Sequence, residues 1–356
     1  MANKDFPASP RAKRLIKIAS ISLVALLVLL LGGLALLRSY IRPPVISDAT
    51  AGPAPTTAPL ATDMPFVAPE PGVNMPHLSP TEGRERKPHF FTFLIFGLDD
   101  TMNADSIMVA AYDGVAQEMY LISIPRDTHV DTDRWLRKIV SAYPTGLFYG
   151  DGHADGVENL MRDVQGLIGF RPDFYISIEK EALVHVIDAV GGVELYVPFH
   201  MYYDDPCQDL HINIPAGLQR LDGENAAHFA SYRLGNNPRD SITDYRRIKH
   251  QHQLLTALFQ ELLTPHTLLR IPDLIRTYRN YVGSNLSLGE QLWFGAQVYR
   301  MGEKALLTYT LPILGTSGAP YWFELPNGAA ILELVNRTVN PFTRDITADM
   351  LRIAPQ

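Results

Sequence analysis

The 356-residue sequence has a single cysteine, Cys207, and only three tryptophans. One cysteine excludes an internal disulfide framework and every multi-cysteine zinc site. Placed in the loop-like run Asp204-Asp205-Pro206-Cys207, it is either free or intermolecular. A basic excess is also missing. The chain has 31 Lys and Arg against 38 Asp and Glu, a net charge of −7, which argues against a nucleic-acid binder. No period of 20–50 residues recurs, so a solenoid is excluded. With 46% apolar and 19% charged residues, what remains is an ordinary folded protein.

One long apolar run is present. Residues 18–37 (IASISLVALLVLLLGGLALL) carry no charge over twenty positions, enough for a helix to cross the roughly 30 Å hydrocarbon core. Lys4, Arg11, Lys13, Arg14 and Lys17 precede it, against one Asp5; only Arg38 and Arg42 follow closely. The positive-inside bias makes 1–17 a cytoplasmic basic tail and 18–37 a single-pass membrane anchor with the rest outside. A cleaved signal peptide would have a shorter apolar region and a small-residue cleavage site. The charge is therefore split: residues 1–42 carry +6 and residues 43–356 carry −13. Eleven prolines between 43 and 88 make 38–88 an extended extracellular linker.

From residue 89 the pattern changes. Near-continuous apolar runs at 90–96, 106–112 and 119–124 read as buried strands, with Asp113-Gly114 as a turn between the last two. Helical spacing over 154–168, a strand at 174–178, a helix at 181–190 and a strand at 191–197 point to an α/β layered domain. A short helix at 224–230, a long one from Asp244 to Leu262 and another near 288–301 follow.

Charge enters where strands end. Asp99 and Asp105 flank a short loop after the first strand, and Arg126-Asp127 follows the third. In open α/β sheets such loops share a ligand crevice. Two carboxylates six positions apart suit a hard cation such as Mg²⁺; equally, this Asp- and Asn-rich run suits a solvated turn. Arg233 lies in the run from Tyr232 to Asp240 that leads into the long helix. Arg247 and Gln251, at i and i+4, share a face of that helix in its first turns, where an anion is favoured.

In order along the chain, GLDDTMNADS (97–106), SIPRDT (123–128), RKIVSAY (137–143), IDAVGGVEL (187–195), IPAGLQRLDGENA (214–226) and YR…DYRRIKHQ (232–251) resemble the LytR-CpsA-Psr family of cell-wall phosphotransferases. The resemblance implies a three-layer α/β/α sandwich around a central mixed sheet. It makes residues 89–262 the catalytic domain and 263–356 an extension packed on it. It further implies Mg²⁺ and transfer of a glycopolymer phosphate from a polyprenyl-pyrophosphate carrier to a peptidoglycan acceptor. By motif position, Asp99 and Asp105 would be the metal-side acids and Arg126 the principal pyrophosphate arginine. Arg233, Arg247 and Gln251 would be further head-group contacts. Asp127 or Asp105 would orient or deprotonate the acceptor hydroxyl. Apolar residues such as Ile176, Ile178, Val184, Ile187, Leu254 and Leu258 would line the lipid tunnel.

The sequence departs from that pattern at Ala104, Ser231 and His250, where the family usually has arginine, and at Val140, where it usually has asparagine. The missing charge motivates an alternative, a non-catalytic binder of polyprenyl phosphates or wall polymer on the same scaffold. A hydrolase using water as acceptor is a third reading.

Overall fold

The computed structural model describes residues 43, 44, 46, 84–99, 101–207, 210–233, 243–264, 267, 270, 274, 281–302, 306–318 and 322–353. The basic tail, the expected membrane helix over 18–37 and most of the expected linker lie outside the described residues. Among the described residues no helix is long and apolar enough to cross a membrane. The chain forms two compact units, one of residues 46–286 and 297–356, the other of 1–45 and 287–296.

In chain order the elements are β1 (Phe90–Leu98), β2 (Ala104–Asp113), β3 (Glu118–Ile124), α1 (Ala142–Tyr149), α2 (His153–Ile168), β4 (Phe174–Glu179), α3 (Lys180–Val190) and β5 (Val193–Val197). Then come β6 (Met201–Asp205), β7 (Leu210–Ile214), β8 (Gly217–Leu221), α4 (Gly223–Ser231), α5 (Asp244–Leu262) and β9 (Val282–Ser284). The chain continues with α6 (Leu288–Met301), β10 (Leu306–Thr310), β11 (Ile313–Thr316), β12 (Glu324–Pro326) and α7 (Gly328–Thr338). In the smaller unit, α6 opens with a capping box: the Ser287 N–H and hydroxyl both donate to Glu290 Oε2, at 2.7 and 2.8 Å.

The central sheet has the order β10-β3-β2-β1-β4-β9. It is mixed: β1 runs parallel to β4 and β10 to β3, while the other pairs are antiparallel. Continuous apolar strands suit a sheet covered on both faces. One face packs against α1, α2 and α7 through Leu94, Val109, Leu160, Val164, Leu167 and Ile331, all fully buried. Helices α3, α4 and α5 gather a second cluster with the two-stranded sheets β5–β8 and β6–β7, through Ile187, Val193, Ile214, Phe229 and Leu258. A half-buried polar pin joins α5 to the sheet, where Ser123 Oγ lies 2.8 Å from His252 Nε2.

Strand β5 does not return to the central sheet. It alternates buried Val193, Leu195 and Val197 with exposed Glu194 and Tyr196, the signature of a strand with one wet face. It pairs with β8 instead. The turn before it needs glycine, since Gly192 has φ 86° and a Cβ there would lie 2.8 Å from the Leu221 carbonyl. Residues 84–88, the end of the expected linker, are held on the larger unit. The Lys87 N–H donates to the Pro341 carbonyl, and Arg86 donates to Asp173 at 2.7 Å.

One irregularity positions the site. Gly97 pairs with Ser106 and Leu98 with Ala104, so Asp105 is an extra residue with no partner across the ladder. This β-bulge breaks the alternation of β2. Ala104 turns into the packed core at 0% exposure, and Asp105 turns to the opposite side of the sheet.

Candidate active site

Between the sheet and helices α3, α4 and α5 lies a pocket of about 210 Å³. Ile95, Met108, Ile178, Leu183, Leu254 and Leu255 make its walls apolar. Small residues, Gly97, Ser106, Ala227, Ala230 and Ser231, leave the space open. Its polar lining includes Asp99, Asp105, Arg247 and Gln251. Of the residues expected along a tunnel, Ile178 and Leu254 line it. Ile187 and Leu258 instead belong to the second core cluster, and Ile176 and Val184 are not in the lining.

A layer of alternating charge adjoins these polar residues. Arg126 Nη1 donates to Asp105 Oδ1 at 2.6 Å, and Arg247 Nη2 donates to the Asp105 carbonyl at 3.3 Å. Asp244, at the start of α5, lies 2.9 Å from Arg247 Nη2 and 3.9 Å from Arg126 Nε. Burial works against the charge on Arg126, but Asp105, Asp244 and Asp127 outweigh it and raise its proton affinity. In Arg247 burial prevails, with Arg126 and Arg233 adding repulsion, and its pKa falls below the ordinary arginine value. The Nε atoms of both arginines are buried without a hydrogen-bond partner. Buried unsatisfied donors beside a pocket are what an anionic ligand would satisfy.

Asp99 is largely engaged by its own loop. Its Oδ1 accepts from the Thr101 N–H and hydroxyl and from the Asn103 N–H, at 2.7–2.8 Å. Burial raises its pKa, but these bonds outweigh burial and hold the carboxyl below its ordinary value. Among the described residues no group of three or more His, Cys, Asp or Glu is placed to hold a metal. Two carboxylates, Asp99 and Asp105, do reach the pocket. That set fits Mg²⁺, which takes one or two carboxylates and completes its shell with water and substrate phosphate.

Asp127 forms an ion pair with Lys138 at 3.0 Å. The segment containing Lys138 also braces the arginine loop, because the Ile139 and Val140 N–H groups donate to the carbonyls of Thr128 and Arg126. Arg233 is exposed at the end of α4 and is not in the pocket lining. Residues 234–242, including Arg239, lie outside the described residues. Arg246 and Lys249 are exposed on α5, with Lys249 stacked over Tyr245.

Sequence reasoning missed two acids. Asp244 was legible only as a helix start, and Glu324 lies on the short strand β12, beyond the last element expected from the sequence. The Glu324 N–H donates to the Asp127 carbonyl at 3.0 Å, and its carbonyl accepts from the His129 N–H at 2.9 Å. Burial, then the negative charges of Asp244 and Asp127, push its carboxyl up to about 7.

The three positions lacking arginine differ in kind. Ala104 faces the packed core, and an arginine there would bury a charge. His250 turns to Phe229, ring centroids 4.8 Å apart, and burial lowers its pKa to about 4, so it is neutral. Ser231 alone lines the pocket.

The sequence matches the LytR_cpsA_psr family over residues 72–337. The chain belongs to this family. Members of known sequence include the regulatory protein MsrR of Staphylococcus aureus (strain COL), 26% identical over 62% of this chain and 64% of that protein. The polyisoprenyl-teichoic acid–peptidoglycan teichoic acid transferase TagV of Bacillus subtilis (strain 168) is 28% identical over 72% of this chain and 64% of its own length. The probable cell wall biosynthesis protein LcpB of Corynebacterium glutamicum is 31% identical over 59% of this chain and 46% of LcpB. The chain thus spans about 64% of the first of these relatives. Among solved structures, B. subtilis TagV superposes with a TM-score of 0.58 at 24% identity, covering 76% of this chain and 100% of that one. TagT bound to LIIa-WTA gives 0.57 at 18%, covering 75% and 100%. These likenesses show a shared mixed α/β fold.

Proposed function

We propose that this family member transfers a glycopolymer phosphate from a polyprenyl-pyrophosphate carrier to peptidoglycan, outside the cytoplasmic membrane and anchored by residues 18–37. The observation that carries the reading is the apolar pocket with Asp99, Asp105, Arg247 and Gln251 in its lining and Arg126 ion-paired beside them. Apolar walls suit a prenyl chain, and the unsatisfied arginine donors suit a pyrophosphate. The teichoic acid transferase activity that TagV is named for supports the same chemistry.

Phosphoryl transfer asks the protein mainly for positioning and charge neutralisation. Arg126 and Arg247 hold the two phosphates, and Gln251 adds a neutral donor beside them. Asp105 orients Arg126 through their ion pair, and Asp244 holds Arg247. Arg233, exposed beyond the pocket lining, acts on the head group through its charge, as it does on Arg247. Mg²⁺ held on Asp99 and Asp105 would neutralise charge on the pyrophosphate. Asp127, tied to Lys138, is outside the pocket lining, and the acceptor arrives beside it.

The non-catalytic alternative loses much of its motive. Two of the three arginine-lacking positions, 104 and 250, turn away from the pocket, so their side chains remove no charge from it. The test is direct. The full chain in detergent, given a polyprenyl-pyrophosphate saccharide, Mg²⁺ and a peptidoglycan oligosaccharide, should yield the linked product. Arg126→Ala should lower that yield about 100-fold or more. Lipid binding by the wild type with no product would support the binder; free saccharide phosphate in its place would support the hydrolase.

A further inference from the structure

Glu324 is the unexplained acid of the charge layer. Asp105 is paired with Arg126, Asp244 with Arg247 and Asp127 with Lys138. The carboxyl of Glu324 forms no ion pair among the described residues, and its Oε2 is buried without a hydrogen-bond partner. Its backbone is fixed on both sides to the loop that carries Arg126, through the Asp127 carbonyl and the His129 N–H. A parallel bridge between Thr128 and Glu324 completes that attachment. The groups that act on the carboxyl are Asp127 and Lys138 from the segment after β3 and Asp244 from α5. The neighbouring ring of His129 lies tilted against Phe323, centroids 4.6 Å apart.

The order of groups is informative. Asp105 and Arg247 line the apolar pocket; Arg126, Asp244, Asp127 and Glu324 do not. Glu324 is thus outside the pocket lining and fixed through its backbone to the loop that carries Arg126. An in-line displacement at phosphorus requires the attacking oxygen opposite the leaving one. With the lipid in the pocket, the acceptor hydroxyl comes from outside the pocket lining, where the loop carrying Arg126 and the attached Glu324 are found.

We infer that Glu324 accepts the proton of the attacking sugar hydroxyl, an inference that rests on the transferase reading above. The acceptor oxygen forms a bond to the phosphorus that bears the glycopolymer. The bond from that phosphorus to the bridging oxygen breaks, and polyprenyl monophosphate leaves with the electron pair. The hydroxyl proton passes to the Glu324 carboxylate and then to water. A carboxyl raised to about 7 is matched to this task near neutral pH.

The test compares the full-length wild type with Glu324→Gln, which keeps shape and removes the proton acceptor. Transfer by the variant should fall about 100-fold or more, with polyprenyl-pyrophosphate affinity and thermal midpoint unchanged. The rising limb of the wild-type rate, centred near pH 7, should disappear. A variant with wild-type rate, or with the same limb, overturns the inference. A second readout does not depend on transfer. In protein labelled with ¹³C-carboxyl glutamate, the signal absent from Glu324→Gln should shift when a peptidoglycan saccharide is added. A signal that stays in place overturns the inference even if the wild type transfers. A wild type that transfers nothing, with the signal still responding, refutes the transferase reading and leaves Glu324 facing the saccharide.

Discussion

The two faces of the central sheet are built from the same strands and solve opposite problems. On one face Leu94, Phe96, Val109 and Ile122 meet α1, α2 and α7 and fill the space to 0% exposure. On the other, Gly97 and Ser106 look across at Ala227, Ala230 and Ser231, and a cavity of about 210 Å³ stays open. The difference is a choice of side-chain size at positions of opposite parity on one strand. Leu94 and Ile95 are neighbours, yet one belongs to the core and the other to the pocket. An apolar void of this kind forgoes packing that the first face has, and awaits an apolar ligand.

The sharpest way to break this comparison is to alter each face. Leu160→Ala on the packed face should destabilise the fold by about 2–5 kcal/mol, because a rigid core does not close over the gap. Gly97→Leu on the open face should leave stability within about 1 kcal/mol. A Cβ there meets Ser106 Cβ at 3.4 Å and the Ile178 carbonyl at 4.0 Å, ordinary contacts. The same change should weaken polyprenyl-phosphate binding tenfold or more. Urea titration and a lipid-binding assay check both arms. Equal destabilisation by the two variants would mean that the second face is a core after all.

Much of this contrast was legible from residues, and its limits have physical causes. The buried strands and the helix from Asp244 to Leu262 announced themselves by apolar runs and helical spacing. Asp99, Asp105, Arg247 and Gln251 reach one pocket from three separate segments, which spacing alone does not reveal. The bulge that turns Asp105 outward was invisible, because period-two reasoning gives it the wrong face. Glu324 left no signal, since its position depends on β12 bridging a loop some two hundred residues earlier. His250 stands where the family usually has arginine and is an interior ring beside Phe229.

That interior ring gives the next prediction. His250 is 5% exposed, with a folded pKa of about 4 against an unfolded value near 6.5. Below 6.5 the unfolded chain binds a proton that the native ring refuses, so stability falls with pH over this window. The neutral ring's contribution is fully present above pH 6.5 and is lost as pH drops through about 4. From pH 7 to pH 5 the loss from this residue should be about 2 kcal/mol. His250→Phe should remove it and flatten the urea midpoint over that range. An unchanged slope would place the ring in contact with water, on the pocket side of α5.

The smallest effect distinguishes the faces by charge. Ser231 and Ala104 both stand where relatives of this sequence type were expected to carry arginine, and they stand on opposite faces. Ser231 is exposed, its hydroxyl donates to the Ala227 carbonyl at 2.8 Å, and it lines the pocket. Ser231→Arg gives up one local bond and offers a guanidinium fork to the pyrophosphate, a gain of about 1.5 kcal/mol or roughly tenfold in affinity. Ala104→Arg drives the same charge into the packed core and should cost stability without improving affinity. Isothermal titration with a polyprenyl pyrophosphate, alongside thermal melts, separates the outcomes. A gain at 104 and none at 231 would reverse the assignment of faces, and with it the side from which the head group is held.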